Sequence, residues 1–285
     1  MPEAVPCILC GSARSRTLFT KPSGDGEPFT LAACRDCGLR FVSPRPSPDE
    51  IARYYEKQYF TTRTARGYDN YFSPAVRGEI ERVIALNLRD AGFFPFEESL
   101  AERRALDIGC AAGYFVNYLA ARGWDACGID VSDDCVNFAR ESLKLDVTRG
   151  SYLDARYDRA FQLVTLWATI EHLHHPERFM EKIRAELAPG GRLYITTCRE
   201  GVLNFKSLYG PAWRFYNFPE HLYFFSFRTL KRLLVRHGFR VRSYATYGSG
   251  FGRGGSLPRR AADFLAKNLY MGDMMLVAAE KANGG

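Results

Sequence analysis

No stretch of the 285 residues approaches the ~18 uninterrupted apolar residues that a membrane span requires. The opening MPEAVPCILC lacks a basic stretch followed by an apolar one, so no secretory leader is visible and a cytoplasmic protein is expected. There is no internal repeat, and the one low-complexity tract is GSGFGRGGS near the C-terminus. Histidine is scarce, with five in the chain. The last third is poor in acid: residues 201–285 hold 13 Lys+Arg and 4 Asp+Glu. What is present is ordinary for a folded chain. Hydrophobic residues make up 46% and charged residues 25%, which excludes a disordered or fibrous protein. The length fits about two domains, or one large domain with a small appendage.

The formal charge is +7, and the C-terminal third carries all of it, since the first 200 residues hold 26 Lys+Arg against 28 Asp+Glu. Such a field suits an anionic partner, or else a solvated Arg-rich face.

Eight cysteines in a cytoplasmic chain are expected to stay reduced. Four form two C-x2-C pairs 23 residues apart, Cys7 with Cys10 and Cys34 with Cys37. Two such knuckles can bring four thiolates to one tetrahedral centre, which is the ligand set of structural Zn²⁺. A segment of about 45 residues cannot bury enough core to fold alone, so a metal staple is physically reasonable. Four sulfur ligands leave no open position, so the metal is structural and not catalytic. Residues 1–50 carry 6 Lys+Arg and 6 Asp+Glu, which disfavours a grip on nucleic-acid phosphates by this segment. Cys110, Cys127, Cys135 and Cys198 read as small core residues.

Residues 1–47 form the expected zinc ribbon, closed by the stiff SPRPSP run. Residues 48–100 read as a helical, aromatic connector or lid. From residue 101 to 285 strand and helix patterns alternate: ALDI, GYFVNYLAARG, DACGID, DDCVNFARESL, LDVTRG, FQLVTLW and PERFMEKIRAEL. A PGG turn then leads into RLYITT, and FRVRSYATY and MMLVAAEK supply two last strands. That order predicts an α/β fold, a parallel sheet with helices on both faces.

Within it, LDIGCAAGYF runs from strand through a Gly-rich turn into a helix. Gly109 and Gly113 let backbone pass close to a ligand and open amides toward it. Their spacing is G-x-x-x-G, unlike the G-x-G-x-x-G of dinucleotide sites, and no G-K-[ST] follows to hold a triphosphate. Asp130 ends the neighbouring strand 21 residues after Gly109, where a carboxylate can accept from both hydroxyls of a ribose.

The runs LDIGCAAGYF, GIDVS, FQLVTLWATIEHLHHP and LAPGGRLYITT together resemble a class I S-adenosylmethionine-dependent methyltransferase over about residues 100–285. The cysteine segment, with CGLRFVSPRP and YYEKQYF, more loosely resembles the zinc-binding region fused to methyltransferases of sugar, cell-surface glycan and natural-product pathways. The resemblance implies a doubly wound, seven-stranded, mostly parallel Rossmann-like sheet with an acceptor-pocket insertion at about 200–228. It assigns Asp107, Gly109, Cys110 and Gly113 to the methionine end of the cofactor, Asp130 to the ribose and Val131 to the adenine. Ser151 and Tyr152 stand where the adenine edge is read, by backbone if not by side chain, with Asp154 as a nearby substitute. Leu166 and Trp167 would line the methionine side. Tyr68 or Tyr71 would close the pocket, or else belong to the core.

Methyl transfer to a hydroxyl or an acidic C–H needs a base near neutral pH. His172, with Glu171 as orienting or metal-binding partner, and His221 in the aromatic patch AWRFYNFPEHLYFFSF are the candidates. The expected acceptor is a small, hydroxylated or anionic molecule, sugar-derived or a natural-product intermediate, with O-methylation slightly ahead. The alternatives are a zinc-ribbon RNA methyltransferase and a non-catalytic module. WATI stands in the slot where many base-modifying enzymes carry N/D-P-P-[YF], and that counts against RNA.

Overall fold

A computed structural model describes residues 3–24, 26–52, 54, 70–201, 209–248 and 257–282. The chain starts with an antiparallel ribbon: β1 (Ser15–Pro22), β2 (Pro28–Cys34) and β3 (Arg40–Val42). α1 (Pro48–Ala52) follows, opened by a reciprocal cap in which Ser47 N–H donates to Glu50 and Glu50 N–H to the Ser47 hydroxyl. α2 (Pro74–Asp90), capped by Ser73, and α3 (Phe93–Glu98) make up the described connector.

The alternating part then runs β4 (Arg104–Ile108), α4 (Tyr114–Ala120), β5 (Asp125–Asp130), α5 (Asp133–Leu143), β6 (Asp146–Arg149) and β7 (Phe161–Trp167). It continues through α6 (Pro176–Glu186), β8 (Leu187–Cys198), β9 (Tyr223–Phe224) and α7 (Phe227–Arg236). β10 (Phe239–Tyr247), α8 (Leu257–Asn268) and β11 (Met274–Lys281) end it. The large sheet has seven strands in the order β10-β11-β8-β7-β4-β5-β6. β8, β7, β4, β5 and β6 are parallel, and β11 is antiparallel to both its neighbours. The chain order reverses between β4 and β7, so the crevice at their C-terminal ends is where an open sheet of this kind takes a ligand.

Two local features depart from the sequence reading. PGG does not precede a strand but lies inside β8: Phe161 pairs with Leu187 and Leu163 with Arg192, so Pro189–Gly191 bulge out while the ladder holds on both sides. Between the last two strands the structure also places helix α8 just after the glycine-rich tract, where no helix was expected.

The ribbon keeps no core to itself. Cys7, Leu9, Leu39 and Phe41 pack in one cluster with Leu106, Ile108, Ile129 and Leu166 of the large sheet. β9 joins the ribbon as its fourth strand, with Arg40 opposite Phe224 and Phe41 opposite Tyr223. A strand 180 residues downstream therefore completes the N-terminal sheet. Among the described residues no helix is long and apolar enough to cross a membrane.

Candidate active site

The end of β4 meets the tip of β5 at Asp130. One Asp130 oxygen accepts from Ala111 N–H at 2.8 Å and the other from Ser132 N–H at 2.8 Å. Each oxygen keeps a further lone pair, so the pair can still receive a diol. Beside it Val131 is 62% exposed, an apolar face of the kind a flat base covers. Asp107 lies deeper, between its neighbours Gly128 and Thr165 on the flanking strands. It is 2% exposed and accepts from the Thr165 hydroxyl at 2.6 Å. Burial pushes its carboxyl up to about 7, against the pull of the Thr165 bond and with help from the Asp130 charge. Burial likewise raises Asp130, against the backbone N–H groups, Ser132 first, that favour its anion.

The two glycines act differently from the expectation. Gly109 N–H donates to Ile129 O at 2.8 Å and Gly113 N–H to Cys110 O at 2.9 Å, so neither amide is open to a ligand. What the glycines provide is closeness. A Cβ on Gly109 would stand 2.5 Å from Thr169 Cγ2, and one on Gly113 would stand 2.8 Å from Leu145 Cδ1. Both also take left-handed backbone, and between them Ala111 does so with a side chain, at φ 46°. The turn after β7 is thereby drawn onto the turn after β4.

The remaining expected cofactor residues fall in two groups. Cys110 is buried beside Gly128, which leaves room for its sulfur, and burial raises its thiol well above the ordinary range. Leu166 is fully buried in the core. Tyr152 is buried and donates to Glu186 at 2.6 Å, so its ring belongs to the core and only backbone is left to face a ligand. Trp167 is half-buried and stacks on Phe115 with centroids 5.1 Å apart. Ser151 is exposed. Tyr71 O accepts from the Tyr114 hydroxyl at 2.7 Å, and the two rings lie 5.4 Å apart. Tyr68 lies outside the described residues.

Past β7 the chain turns through Ala168, at φ 53°, into a short 3-10 turn, Ile170–His172. This turn and the loop before β9 bring Glu171, His172 and His221 together, with one ligand atom of each within 4.8 Å of the others. The two imidazoles meet edge to face, centroids 4.6 Å apart. His172 Nδ1 lies 2.8 Å from Glu220 O and His221 Nδ1 lies 2.9 Å from Phe215 O. A carbonyl only accepts, so both Nδ1 atoms carry hydrogen and Nε2 is the nitrogen that can take a proton. Behind them stand residues the sequence reading passed over. Glu200, 5% exposed, pairs with Arg40 of β3 and accepts from the Tyr216 hydroxyl at 3.0 Å. Glu220 is fully buried. A signal for Glu200 was its place just past the end of β8.

A family model described as "Methyltransferase domain" matches residues 76–244, more than half of the chain. The chain belongs to the class I S-adenosylmethionine-dependent methyltransferases. It is 31% identical over 127 residues to the ubiquinone biosynthesis O-methyltransferase of Methylococcus capsulatus, covering 42% of this chain and 54% of that protein. To the protein of the same name from Paraburkholderia phymatum it is 30% identical over 113 residues, 37% of this chain and 49% of the relative. The chain thus spans about half the length of the curated relatives it matches. Among solved structures, a SAM-dependent methyltransferase from Archaeoglobus fulgidus superposes with TM-score 0.52 at 20% identity, over 70% of this chain and 94% of that one. The [4+2]-cyclase SpnF superposes with TM-score 0.56 at 19% identity, over 84% and 98%. The fold is therefore shared with a protein named for different chemistry.

In this methyltransferase-family chain the four ribbon cysteines converge. Cys7 and Cys37 sulfurs are 3.4 Å apart, Cys10 and Cys34 sulfurs 3.5 Å, and all four lie within 4.8 Å of one another. Four sulfurs at ~2.3 Å from a tetrahedral centre stand about 3.8 Å apart, so the residues fit Zn²⁺. Backbone N–H groups at the second knuckle, together with the Cys10 sulfur, hold the Cys34 thiol at about 7 against its burial, and burial raises Cys7 and Cys37.

Proposed function

We propose that the chain transfers the methyl group of S-adenosylmethionine to a small hydroxylated or anionic acceptor, a sugar-derived or natural-product intermediate, with oxygen as the favoured nucleophile. The observation that carries this reading is the His172–His221 pair, two imidazoles edge to face with each Nδ1 anchored on a backbone carbonyl, past the C-terminal ends of the strands that carry Asp107 and Asp130. The curated relatives named as O-methyltransferases support oxygen as the target.

Asp130 would hold the ribose hydroxyls, Val131 the adenine face, and Asp107 the cationic end of the donor. When bound, the donor supplies an electrophilic methyl on a sulfonium. The chain's part is to align the acceptor and exclude water, which can lower a barrier by ~7–11 kcal/mol where the geometry is good. Nε2 of His172 or His221 takes the acceptor proton as the new bond forms, and the Nδ1 bond to backbone carbonyl fixes the ring's direction. A structural Zn²⁺ on the four cysteines takes no part in the transfer. Glu171, His172 and His221 could also hold a divalent ion that lowers the acceptor's pKa. Chelator sensitivity of a sample whose ribbon metal is retained separates this second reading from a metal-free base.

The test is a methyl-transfer screen against small-molecule acceptor pools, read as a 14 Da mass gain (the mass of CH₂), about one methyl per turnover. His172→Ala and His221→Ala should both keep cofactor binding while one loses turnover by about 10²-fold or more. Full activity in both on the true acceptor overturns the base assignment. Retention on RNA at moderate salt, with methylation of the RNA, overturns the small-molecule acceptor.

A further inference from the structure

We propose that the cysteine ribbon is a working part of the acceptor half of the site, with Arg40 as the positioning residue that transmits the ribbon's order to Glu200, Tyr216 and the paired histidines. The proposal rests on the methyltransferase reading only in naming that half the acceptor side.

Two paths carry the coupling. The first is backbone. Val42 N–H of β3 donates to Leu222 O at 2.9 Å, and Leu222 N–H donates to Glu171 O at 2.8 Å. One residue therefore joins the ribbon's last strand to the turn that bears Glu171 and His172. The second is side chain. Arg40 pairs with the buried Glu200 carboxylate and donates to the Tyr216 hydroxyl at 3.3 Å. Lys21 of β1 donates to Tyr216 O at 3.0 Å. The turn that carries Tyr216 also presents Phe215 O to His221 Nδ1 and Asn217 O to His221 N–H. Removing a cation from a buried carboxylate leaves a charge that the surroundings must move to satisfy, so the wall behind His221 depends on Arg40.

The position of Arg40 is in turn set by the cysteines. It stands three residues after Cys37, and the second knuckle fixes the start of β3 through Cys34 N–H to Leu39 O at 2.8 Å. The cofactor-side carboxylates take their hydrogen bonds from groups outside the ribbon, Asp130 from Ala111 and Ser132 and Asp107 from Thr165, and the ribbon meets β4 and β5 through the shared apolar cluster and not through these groups. Metal on the four thiolates should thus order the acceptor half and leave the cofactor half intact.

The test uses the full chain with its ribbon metal bound, the same chain stripped by chelator under reducing conditions, and the variants Arg40→Met and Arg40→Lys. Hydrogen exchange is read by mass spectrometry, and the five histidine rings by NMR of labelled protein. Stripping and Arg40→Met should each speed exchange in 170–173 and 209–225 by about tenfold or more, and leave 104–130 within about twofold. The resonances of His172 and His221 should shift while that of the exposed His175 stays. Arg40→Lys should restore most of the protection, since it keeps the charge facing Glu200. S-adenosylhomocysteine affinity should hold within about threefold throughout. Unchanged exchange in 209–225 on stripping overturns the proposal. So does loss of protection everywhere, 104–130 included, because that makes the cysteines a general staple. A metal-loaded chain that fails to bind S-adenosylhomocysteine sinks the methyltransferase reading while the exchange pattern still decides this one.

Discussion

Replacing Asp107 by Asn should make the empty protein more stable and the cofactor weaker. Asp107 is buried, and burial lifts its carboxyl to about 7, opposed by the Thr165 hydroxyl and assisted by the Asp130 charge. The unfolded chain releases this proton near the ordinary 3.8. Between those two values the folded state holds more protons than the unfolded one. Stability is therefore fullest below about pH 4, falls as pH rises toward about 7, and is flat beyond. A rise from 3.8 to about 7 corresponds to roughly 4 kcal/mol as an upper limit. Asn has the same shape, carries no charge and can still accept from Thr165. At pH 8 the variant should melt above the parent by roughly 3 to 10 °C, and near pH 4 the two should coincide. The same change removes an anion from the site of a cationic donor, so S-adenosylmethionine should bind about tenfold more weakly or worse. Thermal unfolding across pH 4 to 8.5 and calorimetric titration read both effects. A stability difference that does not change with pH refutes the reasoning. So does a variant that binds the donor as tightly as the parent.

Asp130→Ala deletes the acceptor of two backbone N–H bonds and of the expected diol, so S-adenosylhomocysteine affinity should fall by about 10²-fold and stability by about 1–3 kcal/mol, read by titration and urea unfolding. Gly109→Ala places a Cβ 2.5 Å from Thr169 in left-handed backbone and should cost about 2 kcal/mol or more. Pairing it with Thr169→Ala should recover part of that loss, and strict additivity in the cycle would show that the two turns do not meet as described. Elemental analysis should find about one zinc per chain, and Cys34→Ser should lower that occupancy; full metal content in the variant would remove the cysteines from the site.

The alternation of strand and helix from Arg104 to Glu186 was legible because each element carries its own signal: a short apolar run, a Ser132 cap, a glycine at the end. The place of Asp130 at the end of a strand was legible for the same reason. The glycine turn was found, but not its use. The sequence shows that Gly109 lacks a Cβ and is silent on the fact that Thr169, 60 residues on, fills the space. The half that carries the paired histidines was the least readable. β9 is two residues long and pairs with a strand near the N-terminus, and no local pattern marks such a partner. Arg40 and Glu200 acquire a meaning only when that pairing brings them together. Helix α8 was hidden by the glycine tract before it, although Pro258 near its start is a helix-opening signal.

The most direct measurement is calorimetric titration of the full chain with S-adenosylmethionine, parent and Asp130→Ala side by side. One molecule bound per chain, with binding at least about tenfold weaker in the variant, is the outcome expected if Asp107 and Asp130 form the donor site. No heat up to about millimolar donor, or equal binding by both proteins, would contradict it.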